Sequence, residues 1–137
     1  MKIQLRRVTL PLLASVLLPL TIPSIALADD CDRDSQSFLI KVRVKGGAPV
    51  AVMRGNQPVD DLHVCIGDTV EWRLQGQARR FFISFAGDAP FAGGKMQNSN
   101  NGKILVTIGG SARRGASYKY DVGLDGGGVL DPRIIVD

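Results

Sequence analysis

Apolar and polar residues alternate with a period of two along much of this chain, and no long stretch repeats apolar residues at helical spacing. In SFLIKVRVKG, Phe38, Ile40, Val42 and Val44 fall on one face and Lys41, Arg43 and Lys45 on the other. DTVEWRLQ places Val70, Trp72 and Leu74 inward and Glu71 and Arg73 outward. KILVTI and SYKYDV repeat the pattern through Ile104, Val106, Ile108 and through Tyr118, Tyr120, Val122. Shorter candidates are Val50–Arg54, Leu62–Ile66, Phe81–Phe85 and Arg133–Val136. Glycine pairs and Gly-Asp or Gly-Asn steps punctuate them: Gly46-Gly47, Gly55-Asn56, Gly67-Asp68, Gly109-Gly110 and Gly126 to Gly128. Successive side chains of a strand point to opposite faces, so about eight half-buried strands in one chain predict an all-β sandwich or barrel.

The first 28 residues stand apart. Lys2, Arg6 and Arg7 precede an almost wholly apolar run from Val8 to Leu27, which ends in Ala26-Leu27-Ala28. That order is the pattern of a secretory signal peptide cleaved after Ala28. Pro11, Pro19 and Pro23 interrupt the run and argue against a stable spanning helix. The expected organisation is a signal peptide at 1–28 and one β-domain at 29–137, periplasmic or secreted, with no stable membrane anchor after cleavage. Removing the three leader cations from 17 Lys and Arg leaves 14 against 13 acids. The near balance takes away the bulk-charge argument for a nucleic-acid partner.

Cys31 and Cys65 both lie in the exported part, and an oxidising compartment predicts a single disulfide between them. They are not in a C-x-x-C spacing, which disfavours a reactive thiol pair. Ala86 to Lys103 is rich in Gly and Asn and lacks alternation; it reads as a long exposed loop with room for one helical turn.

Several residue clusters invite a chemical reading. His63, the one histidine, precedes Cys65 by two residues and reads as a surface or edge-strand residue. Asp121, Asp125 and Asp131 surround the triple glycine, but their spacing matches no standard calcium loop. The triple glycine lies between two strands and no Lys-Ser/Thr follows it, so it is read as a tight loop and not as a phosphate cradle. Arg79-Arg80 and Arg113-Arg114 form two basic pairs, and Phe81, Phe82, Phe85 and Phe91 offer aromatic surface near the first of them.

CIGDTVEWRL resembles the corresponding stretch of the cupredoxins, the plastocyanin–amicyanin group of exported copper proteins, in which a Gly-Asp-Thr-Val-x-Trp/Phe strand follows a tight turn. YKYDV and RIIV resemble that group's last two strands, and the likeness spans Phe38 to Val136. The resemblance implies a Greek-key sandwich of about seven to eight strands. Its first and third long strands would be parallel and adjacent, and Cys31 and Cys65 would emerge at the pole opposite the family's metal end. It also implies where the copper ligands belong. Phe81 takes the place of the upstream His, Val122 that of the Cys and Asp125 that of the second His, and no Met follows Met96. Blue-copper sites need imidazole and thiolate donors, and this set supplies neither.

The expectation is an exported cupredoxin-like binding or interaction module, not an enzyme, with no cofactor and no type-1 copper. Its partner would be an unidentified protein or small molecule of the cell envelope. The candidate face, by resemblance to the family's docking end, comprises Arg79, Arg80, Phe81, Asp121, Asp125 and Asp131. The alternative is a metal carrier with a non-standard site built from His63, Met96 or Asp ligands.

Overall fold

In the computed structural model, which describes residues 31–76 and 80–137, the alternating stretches become strands of two sheets. The predicted signal peptide and Arg79 lie outside the described residues. Eleven strands are present among those described: β1 Ser37–Lys45, β2 Ala48–Arg54, β3 Gln57–Pro58, β4 Asp61–Val64, β5 Thr69–Gln75, β6 Phe81–Phe85, β7 Met96–Asn98, β8 Lys103–Thr107, β9 Ser117–Leu124, β10 Val129–Leu130 and β11 Arg133–Val136. The three strands beyond the expected eight are short pieces: β3 and β10 have two residues each and β7 three, and β10 pairs with β9 on the other side of Asp131-Pro132 from β11.

One sheet runs β3-β2-β1-β5-β8; the other runs β4-β11-β9-β6-β7, with β10 against β9. β1 and β5 are parallel neighbours, as are β4 and β11, and the remaining pairs are antiparallel. Parallel neighbours require crossovers, and the chain changes sheet between β3 and β4, β4 and β5, β5 and β6, β7 and β8, and β8 and β9. The result is the all-β Greek-key sandwich, with the parallel first and third long strands that the resemblance implies.

The inward rows meet between the sheets. Ile40, Trp72 and Ile104 lie abreast across β1, β5 and β8 and are buried. Ile83, Val122 and Ile134 supply the facing layer. An aromatic chain ties the two sheets together: Trp72 Nε1 donates to the Tyr120 hydroxyl at 3.1 Å, Phe85 stacks on Tyr120, and Phe91 meets Phe85 edge-on. Burial raises the Tyr120 phenol strongly against the opposing hydrogen bond from Trp72, so it stays a neutral core group.

Phe91 also corrects the reading of Ala86 to Lys103. That segment is anchored, with Ala89, Pro90 and Phe91 buried, Ser111 Oγ donating to the Ala89 carbonyl at 2.6 Å, and β7 pairing with β6; it contains no helical turn. An apolar plug inside a glycine-rich stretch has no periodicity to announce it.

The Cys31–Cys65 disulfide forms with Cα atoms 5.4 Å apart, at the starts of parallel β1 and β5. Beside it, Asp68 is fully buried and clamped. Arg33 donates to both of its carboxylate oxygens at 3.1 and 2.9 Å, and the backbone N–H groups of Gln36 and Cys65 donate at 2.7 and 2.8 Å. Burial alone would raise its carboxyl; the Arg33 hydrogen bonds, the two backbone donors and the Arg33 charge outweigh that and hold it below the ordinary range. Gly67 makes the clamp possible: its φ is +98°, and a Cβ there would lie 2.9 Å from Ser35 Oγ.

Candidate functional site

The opposite pole is made of turns. β6 begins there and antiparallel β9 ends there, with Phe81 beside Leu124 and Phe82 beside Gly123. Asn101 (φ +51°) and Gly102 (φ +73°) turn the chain from β7 to β8, with Asn100 and Lys103 exchanging backbone hydrogen bonds at 2.9 and 3.2 Å. Positive φ at both central residues is the demand of a type I′ turn, which Asn-Gly satisfies. Ser99 ties this turn to β6: its N–H donates to the Phe81 carbonyl at 2.9 Å and its Oγ accepts from the Phe81 N–H at 3.0 Å.

Between these turns lies an open groove of about 670 Å³, bounded by Arg80, Phe82, Asn98, Asn100, Asn101 and Asp125. Its apolar wall is Phe82, whose ring lies across the backbone of Gly123, where a Cβ would come within 2.4 Å of the ring. Asn, Arg and Asp residues around one half-exposed ring suit a small polar ligand or a peptide loop better than an apolar molecule.

The triple glycine closes the pole from the other side. Gly126 takes φ +73°, and a Cβ at Gly127 would lie 2.9 Å from the Gly47 carbonyl oxygen, so the loop packs on the β1–β2 turn. Close approach of two backbones accounts for Gly127 and the left-handed conformation for Gly126.

Of the predicted face, Arg80, Phe81 and Asp125 come together at the groove. Phe81 contributes backbone there, since its ring belongs to the core at 2% exposure. Asp121 sits on the outer face of β9 opposite Ser84. Asp131 lies further along the flank, in a 450 Å³ recess with Asp60, Asp61 and Arg133, and its carboxylate contacts Lys119 Nζ at 2.7 Å. The Lys119 hydrogen bond and then its charge hold Asp131 below the ordinary range. Arg113 and Arg114 lie near the disulfide pole, where the Arg113 N–H donates to the Tyr118 hydroxyl at 2.9 Å.

The groove residues absent from the sequence reading are the amides Asn98, Asn100 and Asn101. The Asn101-Gly102 dipeptide marks a two-residue hairpin and was the available signal.

The potential metal donors are scattered. His63 Nδ1 lies 2.9 and 3.1 Å from the Asp137 carboxylate oxygens, at the end of the molecule bearing the disulfide. Met96 lies on β7, and β4 and β7 are opposite edges of one sheet, about 19 Å apart at ~4.8 Å per strand. Among the described residues no three of His, Cys, Asp and Glu gather as a metal would require.

No family model matches the chain, and no curated protein matches it. Among solved structures, the chain is similar to a reduced, copper(I) amicyanin mutant at 17% identity and a TM-score of 0.42, over 72% of this chain and 82% of that one. It is similar to an oxidised amicyanin mutant at 18% identity and a TM-score of 0.40, over 72% and 81% of the two chains. A reduced tryptophan-to-tyrosine amicyanin mutant gives 19% identity and a TM-score of 0.40, over 69% of this chain and 86% of that one. The architecture described above rests on the strand pairing and burial, beside which this likeness stands as a finding of its own.

Proposed function

We propose that the protein is an exported, non-catalytic binding module of cupredoxin-like build, whose groove pole makes contact with a partner in the cell envelope without a type-1 copper site. One observation carries the reading: the donors that copper needs are at the wrong end. The chain has one histidine, which lies against Asp137 near the disulfide, and its two cysteines are bonded to each other. At the ends of β6 and β9 the side chains are those of Phe81, Val122 and Leu124, all buried and apolar, followed by exposed Asp125. Trigonal imidazole–thiolate coordination does not fit such a set, and no step through copper follows from it. The groove is instead lined by residues with amide, guanidinium and carboxylate groups around one ring, which is binding chemistry. The metal-carrier reading draws no support from His63 and Met96 on opposite edges of a sheet.

Titrating the purified protein with Cu²⁺ tests this reading. The expected outcome is no intense visible thiolate band; a tight, strongly coloured complex would contradict it. A paired capture from envelope extract uses Arg80→Ala and Asp125→Ala. Loss of one defined partner in both variants, at unchanged melting temperature, supports the groove; retention of every partner in both rejects it.

A further inference from the structure

The balanced charge of the exported chain conceals a segregation that the fold creates. On the outer face of the β3-β2-β1-β5-β8 sheet, Lys41, Arg73 and Lys103 stand abreast on three adjacent strands. Arg43 and Lys45 follow along β1. The next row is Leu39, Glu71 and Leu105, with the two leucines 43% and 56% exposed. Five cations therefore share this face with one acid, Glu71, a balance of 5 − 1 = +4. Glu71 pairs with Arg73. Lys41, Arg43, Lys45 and Lys103 have no ion-pair partner among the described residues. The outer face of the other sheet is built differently, because its cations are matched: Arg133 with Asp61 at 2.8 Å and Lys119 with Asp131 at 2.7 Å.

We infer that this basic sheet face is a docking surface for an anionic lipid membrane, separate from the groove. Unmatched cations spread over three strands meet a diffuse negative surface without needing a shaped counterpart, and each one near such a surface strengthens attachment about five-fold, the equivalent of about 1 kcal/mol. Leu39 and Leu105, about 10 Å apart across two strand spacings, project from the same plane and reach the headgroup boundary when the cations touch phosphates. A flat array of long basic side chains with two apolar points matches a bilayer surface in both charge and polarity. Attachment is peripheral and reversible, and it leaves the groove pole facing along the membrane for a partner.

The test is co-sedimentation of the exported protein, its N-terminus read by mass spectrometry, with two kinds of vesicle: phosphatidylcholine alone, and equal parts phosphatidylcholine and phosphatidylglycerol. Binding is expected only to the anionic vesicles, and it is lost in about 1 M salt, where the screening length falls to about 3 Å. The Lys41→Glu/Lys103→Glu variant changes four charges and is expected to bind more than a hundred-fold more weakly. Leu39→Ser/Leu105→Ser is expected to lose about ten-fold. Lys95→Glu, an exposed change in the segment between β6 and β7, is expected to stay within about two-fold of the parent, because it lies outside the basic face. All three variants alter exposed side chains, and unchanged melting temperatures confirm their folding. The inference is overturned by absence of binding to the anionic vesicles, by a Lys95→Glu loss equal to that of the double charge reversal, or by binding that survives the reversal. An acidic protein captured through this face in the absence of vesicle binding overturns it as well.

Discussion

The two poles of the sandwich are held by different means. At the disulfide pole a covalent bridge, a two-pronged Arg33–Asp68 ion pair and two backbone N–H groups converge on the starts of β1 and β5. At the groove pole the ties are an Asn-Gly turn, the reciprocal Ser99–Phe81 bonds and a glycine loop leaning on another turn. Cohesion is thus concentrated away from the groove. Residues that line the groove can change without loss of the fold, and that freedom suits a surface selected for its contacts.

Substitutions at the two poles measure that asymmetry. The largest effect is expected from Asp68→Ala, which removes the buried carboxylate that accepts from Arg33 and from the Gln36 and Cys65 N–H groups; about 3–5 kcal/mol of stability is lost, read by urea unfolding. Next is Cys31→Ser/Cys65→Ser, which frees the chain between the two cysteines and costs about 2–4 kcal/mol by the same measurement. Acid should act through the same pole. The depressed Asp68 carboxyl contributes stability that is fully present above the unfolded value of about 4 and is lost as pH falls through the lower folded value. The difference in stability between the parent and Asp68→Asn should therefore be constant above about pH 5 and shrink toward lower pH.

At the groove pole Gly102→Ala forces a Cβ into φ +73° and is expected to cost about 1 kcal/mol. Asp125→Ala, exposed and beyond the end of β9, is expected to change stability by less than about 0.5 kcal/mol. If the groove variants cost as much as the disulfide-pole variants, the contrast between the poles fails.

The long strands were legible because one face of each is buried and the other wet. Phe38 to Val44, Val70 to Leu74 and Tyr118 to Val122 all face as their alternation requires. The disulfide was legible from the count of two cysteines and the compartment expected for them. Asp68 was read as a turn residue, since its burial depends on Arg33, which arrives from 35 positions away, and no local pattern carries that. The groove was half legible. Arg80 and Asp125 meet there, while Asp121 and Asp131 diverge because alternation along β9 and the break at Pro132 send them to different parts of the surface. The basic face was hidden by summation: the outward Lys41, Arg43 and Lys45 were visible on their own strand, but only the register with β5 and β8 sets Arg73 and Lys103 beside them.

The most direct test of the central claim is a map of paramagnetic broadening of the backbone amide NMR signals as Cu²⁺ is added. The expected result is broadening confined to the surroundings of His63 and Asp137, with the signals of Phe81 to Phe85 and Tyr120 to Asp125 unchanged. Selective broadening of those two strand ends at substoichiometric Cu²⁺ would place a copper site at the groove pole and contradict the account.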